Sequence, residues 1–316
     1  MDVHEIARQD IDVAPGAEAW ETIRGGYDLQ LHVAPDVIPR RVDDIDVARE
    51  FLEAGLAGFV LKSHYFMTAE RASVVSKAVP GIAAYGALTL NHSMGGLNPV
   101  AVDLAGRAGA RLVWMPTCDA LNETAGRSST TTNLPAWAEF QRKLEAKGVL
   151  PPPLTVLDED GRLNRATLQC LELIAEHDMV LCTGHLGREE IFPLVKAAKD
   201  AGVIRVIVTH AEFPSQDLSA GEQVELADMG AVIEHCFTTT YTGKAPWHTL
   251  FANVAAVGAE RSLLSTDLGQ RTNPPVSLGL ASYAQRFLDA GFSAKDVHTM
   301  VVENPSRLVS RRGGDT

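Results

Sequence analysis

Eight short apolar segments, each followed by an amphipathic helical pattern, constrain this sequence more than any other feature. Apolar runs of this length predict strands that are buried on both faces, and the intervening helices predict that the strands are parallel. Eight such units predict a closed (β/α)8 TIM barrel, and a doubly wound open sheet is the alternative. The segments are YDLQLH (27–32), GFVLKSH (58–64), IAAYGALTLNH (82–92), ARLVWMPT (110–117), MVLCTGH (179–185), VIRVIVTH (203–210), GAVIEH (230–235) and RSLLSTD (261–267).

The chain length and composition fit a single barrel domain over residues 1–316. The 316 residues are 46% hydrophobic and 22% charged, which is typical of a globular protein with a large core. Two segments depart from a minimal barrel, because residues 1–24 precede the first strand and residues 118–157 follow the fourth. Long connections in compact domains are usually functional or disordered. We therefore expect a short N-terminal cap segment and a lid-like insertion on the face where barrel active sites lie.

The charge pattern argues against several classes of partner. The formal net charge is −12 and no run of Lys or Arg exceeds two residues, which disfavours nucleic acids and anionic membranes. No apolar stretch approaches the roughly 18 residues of a membrane span, and the N-terminus lacks the apolar core of a signal peptide. The four cysteines form no CxxC pair, which disfavours a disulfide framework or a structural zinc site. We expect a cytoplasmic protein with a small-molecule substrate, and homo-oligomer formation stays open.

Histidines recur where the predicted strands end. The carboxyl ends of barrel strands meet at one mouth, and imidazole nitrogens and carboxylate oxygens are the usual ligands of a catalytic zinc. A metal site is therefore predicted, with zinc as the expected ion and manganese or iron as alternatives. For each residue alone, a hydrogen-bonded rim position or a helix N-cap is the competing interpretation, and we keep it for His92 and His235. The strand-end residues are His32, His64, His92, His185, His210, His235 and Asp267.

The order of these residues resembles the amidohydrolase superfamily, whose signature is an HxH on strand one, a His after strands five and six, and an Asp after strand eight. By position, His32 matches the second His of the pair, His185 and His210 match the fifth- and sixth-strand residues, and Asp267 matches the eighth. The segments VLKSHY, NHSMGGLNP, VWMPT, TGHLGREE, VTHAEFP and STDLGQ look more particularly like a poorly characterised subgroup. The resemblance implies a hydrolase that uses a metal-activated water on an amide, lactone, ester or thioester such as an acyl-CoA. Asp267 would then be both a metal ligand and the proton acceptor.

One position departs from that signature. Gln30 stands where the superfamily has its first His, and a neutral amide is a poor zinc ligand beside imidazole. The fourth strand also supplies no Lys or Glu that could bridge two metals. These gaps indicate one metal, or a weakened or lost site. We expect Gln30 to hydrogen-bond a bound water or the substrate instead.

Two further groups of residues are candidates for contact with the substrate. Lys62 and His64 share one face of strand two and are expected to stabilise an oxyanion or hold a substrate carboxylate. The alternative for Lys62 is a salt bridge inside the barrel mouth. Asn91, Gly95 and Gly96 are candidates to wrap backbone donors around an anionic group, and a plain tight loop is the favoured interpretation of this stretch.

Three functions stay open at this point. The first is the metal-dependent hydrolase, and the second is a metal-dependent carbon–carbon lyase or decarboxylase on the same ring of ligands. The third is a catalytically degenerate barrel that binds a small molecule. A serine hydrolase or a P-loop nucleotide enzyme is disfavoured, because neither GxSxG nor the Gly-Lys-Ser/Thr pattern occurs.

Overall fold

The computed structural model describes residues 14–127 and 134–311, in which parallel strands alternate with helices as predicted. The strands are β1 (Tyr27–Leu31), β2 (Gly58–Leu61), β3 (Ala83–Tyr85 and Ala87–Thr89), β4 (Leu112–Trp114), β5 (Val180–Cys182), β6 (Val206–Val208), β7 (Val232–Cys236) and β8 (Ser262–Ser265). The α-helices are α1 (Ala17–Thr22), α2 (Asp44–Glu53), α3 (Ala69–Ala78), α4 (Pro99–Arg107), α5 (Leu121–Arg127), α6 (Ala136–Ala146), α7 (Arg165–Glu176), α8 (Arg188–Asp200), α9 (Ala220–Asp228), α10 (Phe237–Tyr241), α11 (Trp247–Val257), α12 (Val276–Asp289), α13 (Ala294–His298) and α14 (Asn304–Val309). Two 3₁₀ turns (His92–Met94 and Ala259–Arg261) and one π-helical turn (Thr299–Glu303) complete the regular structure of these residues.

The strands join into the closed ring that the eight-fold repeat predicts. The first half of β3 pairs with β2 and the second half pairs with β4, and each later strand pairs with the next in chain order. The ring is completed by two 2.8 Å hydrogen bonds, from Asp267 N to Gln30 O and from His32 N to Leu268 O. The fold class predicted from the sequence is confirmed.

Gly86 explains why β3 is divided into two short segments. A Cβ atom at this position would lie 2.3 Å from the Cα of Ala69, the first residue of α3. Only glycine permits such a close approach of helix to strand. The two short segments on either side of Gly86 are therefore parts of one strand, the third of the barrel.

The helices are fixed to the barrel by their apolar faces and by side-chain caps. In α2, Asp43 accepts hydrogen bonds from the backbone N–H groups of Ile45 and Asp46, which satisfies donors that the first helical turn leaves free. The same helix buries Phe51, whose ring meets Phe59 of β2 edge to face at 5.3 Å. Packing of this kind holds the strand ends rigidly, as a preorganised site requires. None of the described helices is both long and apolar enough to cross a membrane.

The insertion after β4 contributes α5 and α6, and residues 128–133 between them lie outside the described residues. Gln141 of α6 donates a 2.5 Å hydrogen bond to Asp119, and Phe140 meets the Tyr65 ring at 5.4 Å. Residues 134–137 line the pocket described below. The described part of the insertion therefore lies at the barrel mouth, as the sequence predicts. Of the expected N-terminal cap, residues 1–13 lie outside the described residues, and α1 packs against α12 and α13.

The opposite, amino-terminal end of the barrel is closed by the C-terminal segment. Arg111, just before β4, is 2% exposed. Its guanidinium donates to the carbonyl oxygens of Val309 (2.5 Å), Asp178 (2.8 Å) and Ser310. The end of α14 and the residue after it are thus tied to the barrel by a buried cation that donates to three backbone carbonyl oxygens.

Candidate active site at the barrel mouth

A pocket of about 380 Å³ opens at the carboxyl ends of the strands. This is the face on which active sites of TIM barrels lie. Its volume is within the range of small-molecule sites. Six residues predicted from the sequence line it: His32, Lys62, His64, His185, His210 and Asp267.

The local backbone shows why these side chains reach the mouth. His32 and Lys62 come directly after β1 and β2, and Asp267 lies two residues after β8. His210 and Asp267 have positive φ angles of 28° and 53°, a conformation that is uncommon for non-glycine residues and that clusters at functional sites. Before His185, Gly184 has φ 63°, and a Cβ there would lie 2.4 Å from Met115 O. The glycine of CTGH therefore permits the turn that presents His185.

The imidazole rings form a continuous row across the pocket. The ring centroids of His32 and His64 are 4.9 Å apart, those of His64 and His185 are 5.9 Å apart, and those of His185 and His210 are 4.8 Å apart. Asp267 joins the row because His32 Nε2 lies 3.1 Å from Asp267 Oδ1. The carboxylate also accepts a 3.0 Å hydrogen bond from Thr238 Oγ1 at Oδ2. Residues from five strands thus meet at one site.

Burial sets the protonation of this row. It lowers the pKa of His32 to about 4 and holds the pKa values of His64 and His210 well below the ordinary value. These imidazoles are therefore neutral at pH 7. Burial alone would raise the pKa of Asp267, but the hydrogen bond from His32, together with the charge of Lys62, holds it well below its usual range. The site combines neutral nitrogen bases with an ionised carboxylate.

The donor types at this site fit a divalent metal ion. Neutral imidazoles and an ionised carboxylate are what zinc binds, and His210 Nδ1 is buried without a hydrogen-bond partner. His185 Nδ1 lies 2.7 Å from Glu123 Oε1, a contact at ion-pair distance that lacks hydrogen-bond alignment. A carboxylate beside a histidine is the usual outer support of a metal-ligating imidazole.

The donor atoms have the chemistry of metal ligands, but they are not arranged as a complete ligand set. Within residues 14–127 and 134–311, no three His, Cys, Asp or Glu side chains are grouped closely enough to hold an ion as they stand. Arg40 Nη2 lies 3.3 Å from His32 Nδ1. Because arginine only donates, Nδ1 accepts, and Nε2 carries the proton that faces Asp267. A metal ion held by both His32 Nε2 and Asp267 Oδ1 would replace that hydrogen bond.

Gln30 is not where the sequence analysis expects it. Its side chain is fully buried, does not line the pocket, and has no hydrogen-bond partner for either amide atom. An unpaired buried amide typically costs about 1–3 kcal/mol for each unsatisfied group. Gln30 therefore does not line the pocket and its amide has no hydrogen-bond partner among the described residues, and its contact with a bound water or the substrate stays a prediction.

The loop of Asn91, Gly95 and Gly96 does not line the pocket either. The Asn91 amide already has hydrogen-bond partners within the fold. It donates to His64 O (2.9 Å) and Thr117 Oγ1 (2.7 Å) and accepts from Thr117 N (2.8 Å). Gly95 and Gly96 have φ angles of 85° and 71°, which makes them turn residues after the 3₁₀ segment. The stretch thus has the tight-loop conformation that the sequence favours, and a role of these three residues in substrate binding stays a prediction. Asn91 instead positions His64, whose Nδ1 lies 2.8 Å from Thr117 Oγ1.

The other two strand-end histidines lie outside the pocket. His92 Nε2 is 2.9 Å from Pro152 O. His235 is fully buried and its Nδ1 is 2.9 Å from Glu212 Oε1. Both have the hydrogen-bonded structural position that the sequence interpretation keeps for them.

Several lining residues were not identified from the sequence. Arg40 follows β1, Phe213 follows His210, and Lys244 lies in the loop after α10. Trp137 of the insertion meets the His185 ring at 5.5 Å and the His64 ring at 6.2 Å. The only sequence signal for Arg40, Phe213 and Lys244 was their place in loops that follow predicted strands, and that signal does not select them among their neighbours.

Comparison with known proteins gives one family and a set of similar folds. Residues 25–234 match the model of a family of unknown function (DUF6282). No curated protein matches the chain.

Several solved structures share the fold at low sequence identity. An amidohydrolase from Pseudomonas aeruginosa is 12% identical with a TM-score of 0.54, over 94% of this chain and 98% of that chain. The probable dipeptidase PvdM from the same organism is 11% identical with a TM-score of 0.61, over 96% and 98%. The TatD homologue YJJV from Escherichia coli K12 is 16% identical with a TM-score of 0.53, over 91% and 98%. The fold is therefore that of the amidohydrolase superfamily.

Proposed function

The chain belongs to the family of unknown function (DUF6282), and we propose that it is a metal-dependent hydrolase of a carboxylic acid derivative. The substrate bond is an amide, lactone, ester or thioester such as that of an acyl-CoA. One observation carries the proposal: His32, His185, His210 and Asp267 line a single pocket at the barrel mouth. The shared fold with proteins described as an amidohydrolase and a probable dipeptidase supports it by analogy.

These four residues would hold the metal, with zinc as the first candidate and manganese or iron as alternatives. A bound divalent ion supplies Lewis acidity, which polarises a carbonyl and lowers the pKa of water toward about 7. His185 and His210 would offer ring nitrogens to the ion, whereas His32 would bind it only after its Nε2 loses the proton that faces Asp267. Asp267 is ionised and already oriented by Thr238.

Asp267 is also the proposed proton carrier. Its carboxylate accepts a proton from the attacking water, whose oxygen bonds to the substrate carbonyl carbon. The same proton then passes to the leaving nitrogen, oxygen or sulfur as its bond to carbon breaks. Lys62 and His64 are placed to stabilise the negative charge that develops on the carbonyl oxygen.

Two observations favour a second candidate, a barrel that binds a small molecule without chemistry. Gln30 replaces the expected first histidine, and His32 and Asp267 bond to each other. Such a protein would bind ligand in the same pocket and turn over none of the ester, thioester, lactone and amide panel.

Isotope incorporation tests the proposal and separates it from a lyase. We expect the zinc-loaded protein, assayed on that panel in H₂¹⁸O, to place one ¹⁸O atom in the carboxylate of its product. Asp267→Asn should lower turnover on the order of 10³-fold, because it removes the proton acceptor. Products without ¹⁸O, or full turnover by Asp267→Asn, would contradict hydrolysis at this site.

A further inference from the structure

Two lysines that line the pocket form no direct ion pair with a carboxylate in the described part of the chain. Lys62 is 3% exposed, and its Nζ lies 5.1 Å from the centroid of the Trp114 ring. Lys244 is half-buried, donates a 3.2 Å hydrogen bond to Thr242 Oγ1, and lies 5.4 Å from the Phe213 ring. Neither ammonium group is within 4.0 Å of a described carboxylate. The salt bridge considered for Lys62 is therefore not formed among these residues.

Arg40 is the third cation that lines the pocket, and it forms an ion pair. The two lysines are therefore the cations without a direct ion pair among the described lining residues. Arg40 pairs with Asp36 at 2.6 Å, and both of these side chains are buried. Asp267 is the single acidic residue among the described residues that line the pocket. The pocket is thus positive inside a chain whose formal net charge is −12. Because an unpaired cation is costly to remove from water, this local excess indicates a site for an anion.

The positions of the two lysines divide their roles. Lys62 lies two residues before His64 and is buried in the part of the pocket that holds the histidines. Its ammonium group is suited to a carbonyl oxygen that becomes negative. Lys244 lies beside the aromatic ring of Phe213, which in turn meets the His210 ring at 5.0 Å. The Thr242 hydroxyl accepts from Lys244 and donates to Thr238 O, so this side of the pocket offers a ligand one cation next to an apolar surface.

We propose, building on the hydrolase proposed above, that the substrate is a small organic acid whose carboxylate binds Lys244 and whose apolar part lies against Phe213. The single ammonium suits a carboxylate, since Arg40 is already engaged by Asp36 and offers no free fork for a phosphate. The carboxylate then fixes one end of the substrate, and the scissile carbonyl lies toward Lys62. Lys244 is in this account a specificity-determining residue.

The test compares an aromatic acid with its neutral amide. Calorimetry measures the affinities of 3-phenylpropanoate and 3-phenylpropanamide for the zinc-loaded wild type, Lys244→Met, Lys62→Met and Lys199→Met. Lys199 is an exposed lysine of α8 and serves as the matched control. Any contribution of the metal to acid binding is common to all four proteins.

We expect wild type and Lys199→Met to prefer the acid by about tenfold or more, as for a hydrogen bond to a charged group. Lys244→Met should lose about tenfold of that preference and keep its affinity for the amide. An unchanged preference in Lys244→Met, its loss in Lys62→Met alone, or no binding of the acid to wild type would overturn the proposal. The readout needs no turnover, so a protein that hydrolyses nothing but shows a Lys244-dependent preference refutes the hydrolase and leaves the carboxylate subsite standing.

Discussion

The two ends of the barrel hold buried cations in opposite ways. At the amino-terminal end, Arg111 donates to three carbonyl oxygens of Val309, Asp178 and Ser310. At the carboxyl end, Lys62 is equally buried and donates to no acceptor among the described residues. A buried cation that donates to backbone carbonyl oxygens joins chain segments. A buried cation without acceptors from the protein is compensated by a ligand that binds in the site. The comparison assigns the amino-terminal end to stability and the mouth to function, as in other TIM barrels.

The largest expected effect on stability comes from Arg111→Met. This change leaves buried carbonyl oxygens without donors and removes the tie to the C-terminal segment, so the free energy of unfolding should fall by about 3–5 kcal/mol. Chemical denaturation measures it, and turnover per folded molecule should not change. Arg49→Met is the control, because Arg49 forms an exposed ion pair with Asp46 at 3.1 Å and should cost about 1 kcal/mol or less. Equal stability of the Arg111→Met and Arg49→Met proteins would break the comparison.

Lys62→Met should behave in the opposite way. It removes a buried charge and no hydrogen bond among the described residues, so the free energy of unfolding should stay the same or rise. Turnover should fall by about 10²-fold, since a donor to the developing negative charge is lost. Denaturation and steady-state kinetics on the same preparations measure both quantities. A loss of stability as large as that of Arg111→Met would show that Lys62 is a structural cation.

A smaller and pH-dependent effect is expected from Glu234, which is buried in β7. Burial raises its pKa from an ordinary 4.5 to about 7. Because the folded-state pKa is raised, this group's stabilising contribution is complete below about pH 4.5 and is lost as the pH rises through about 7. Glu234→Gln should therefore gain about 1–3 kcal/mol over wild type at pH 8 and less at pH 5. Chemical denaturation at the two pH values measures this difference in the free energy of unfolding. A greater advantage of Glu234→Gln at pH 5 than at pH 8 would contradict a raised pKa of Glu234.

The sequence predicts the barrel and the row of histidines because both follow from local periodicity. Strand length and helix pattern determine the eight units, and the strand ends then place His32, His185, His210 and Asp267 at one mouth whatever the loops do. The same reasoning predicts that the insertion after β4 lies over the mouth. These features depend on topology and not on the details of side-chain packing.

The residues that the sequence did not predict depend on loop conformation and on hydrogen-bond partners. In the sequence, Asn91 has the features of a ligand-binding amide. In the structure its amide donates hydrogen bonds to Thr117 and to the His64 carbonyl instead. Lys244 enters the pocket only because α10 turns the chain back toward Phe213. Gln30 shares the first strand with His32, yet its amide stays buried below the pocket lining. Such pairings join residues that are distant in sequence, and no local pattern records them.

Metal titration of the stripped protein tests the central claim most directly. Turnover on the best ester, thioester, lactone or amide of the panel is measured as zinc is added back, together with the bound zinc in each sample. The account predicts that turnover rises in proportion to occupancy and saturates at about one ion per chain, with His32, His185, His210 and Asp267 as the available donors. Full turnover by the metal-free protein would contradict it.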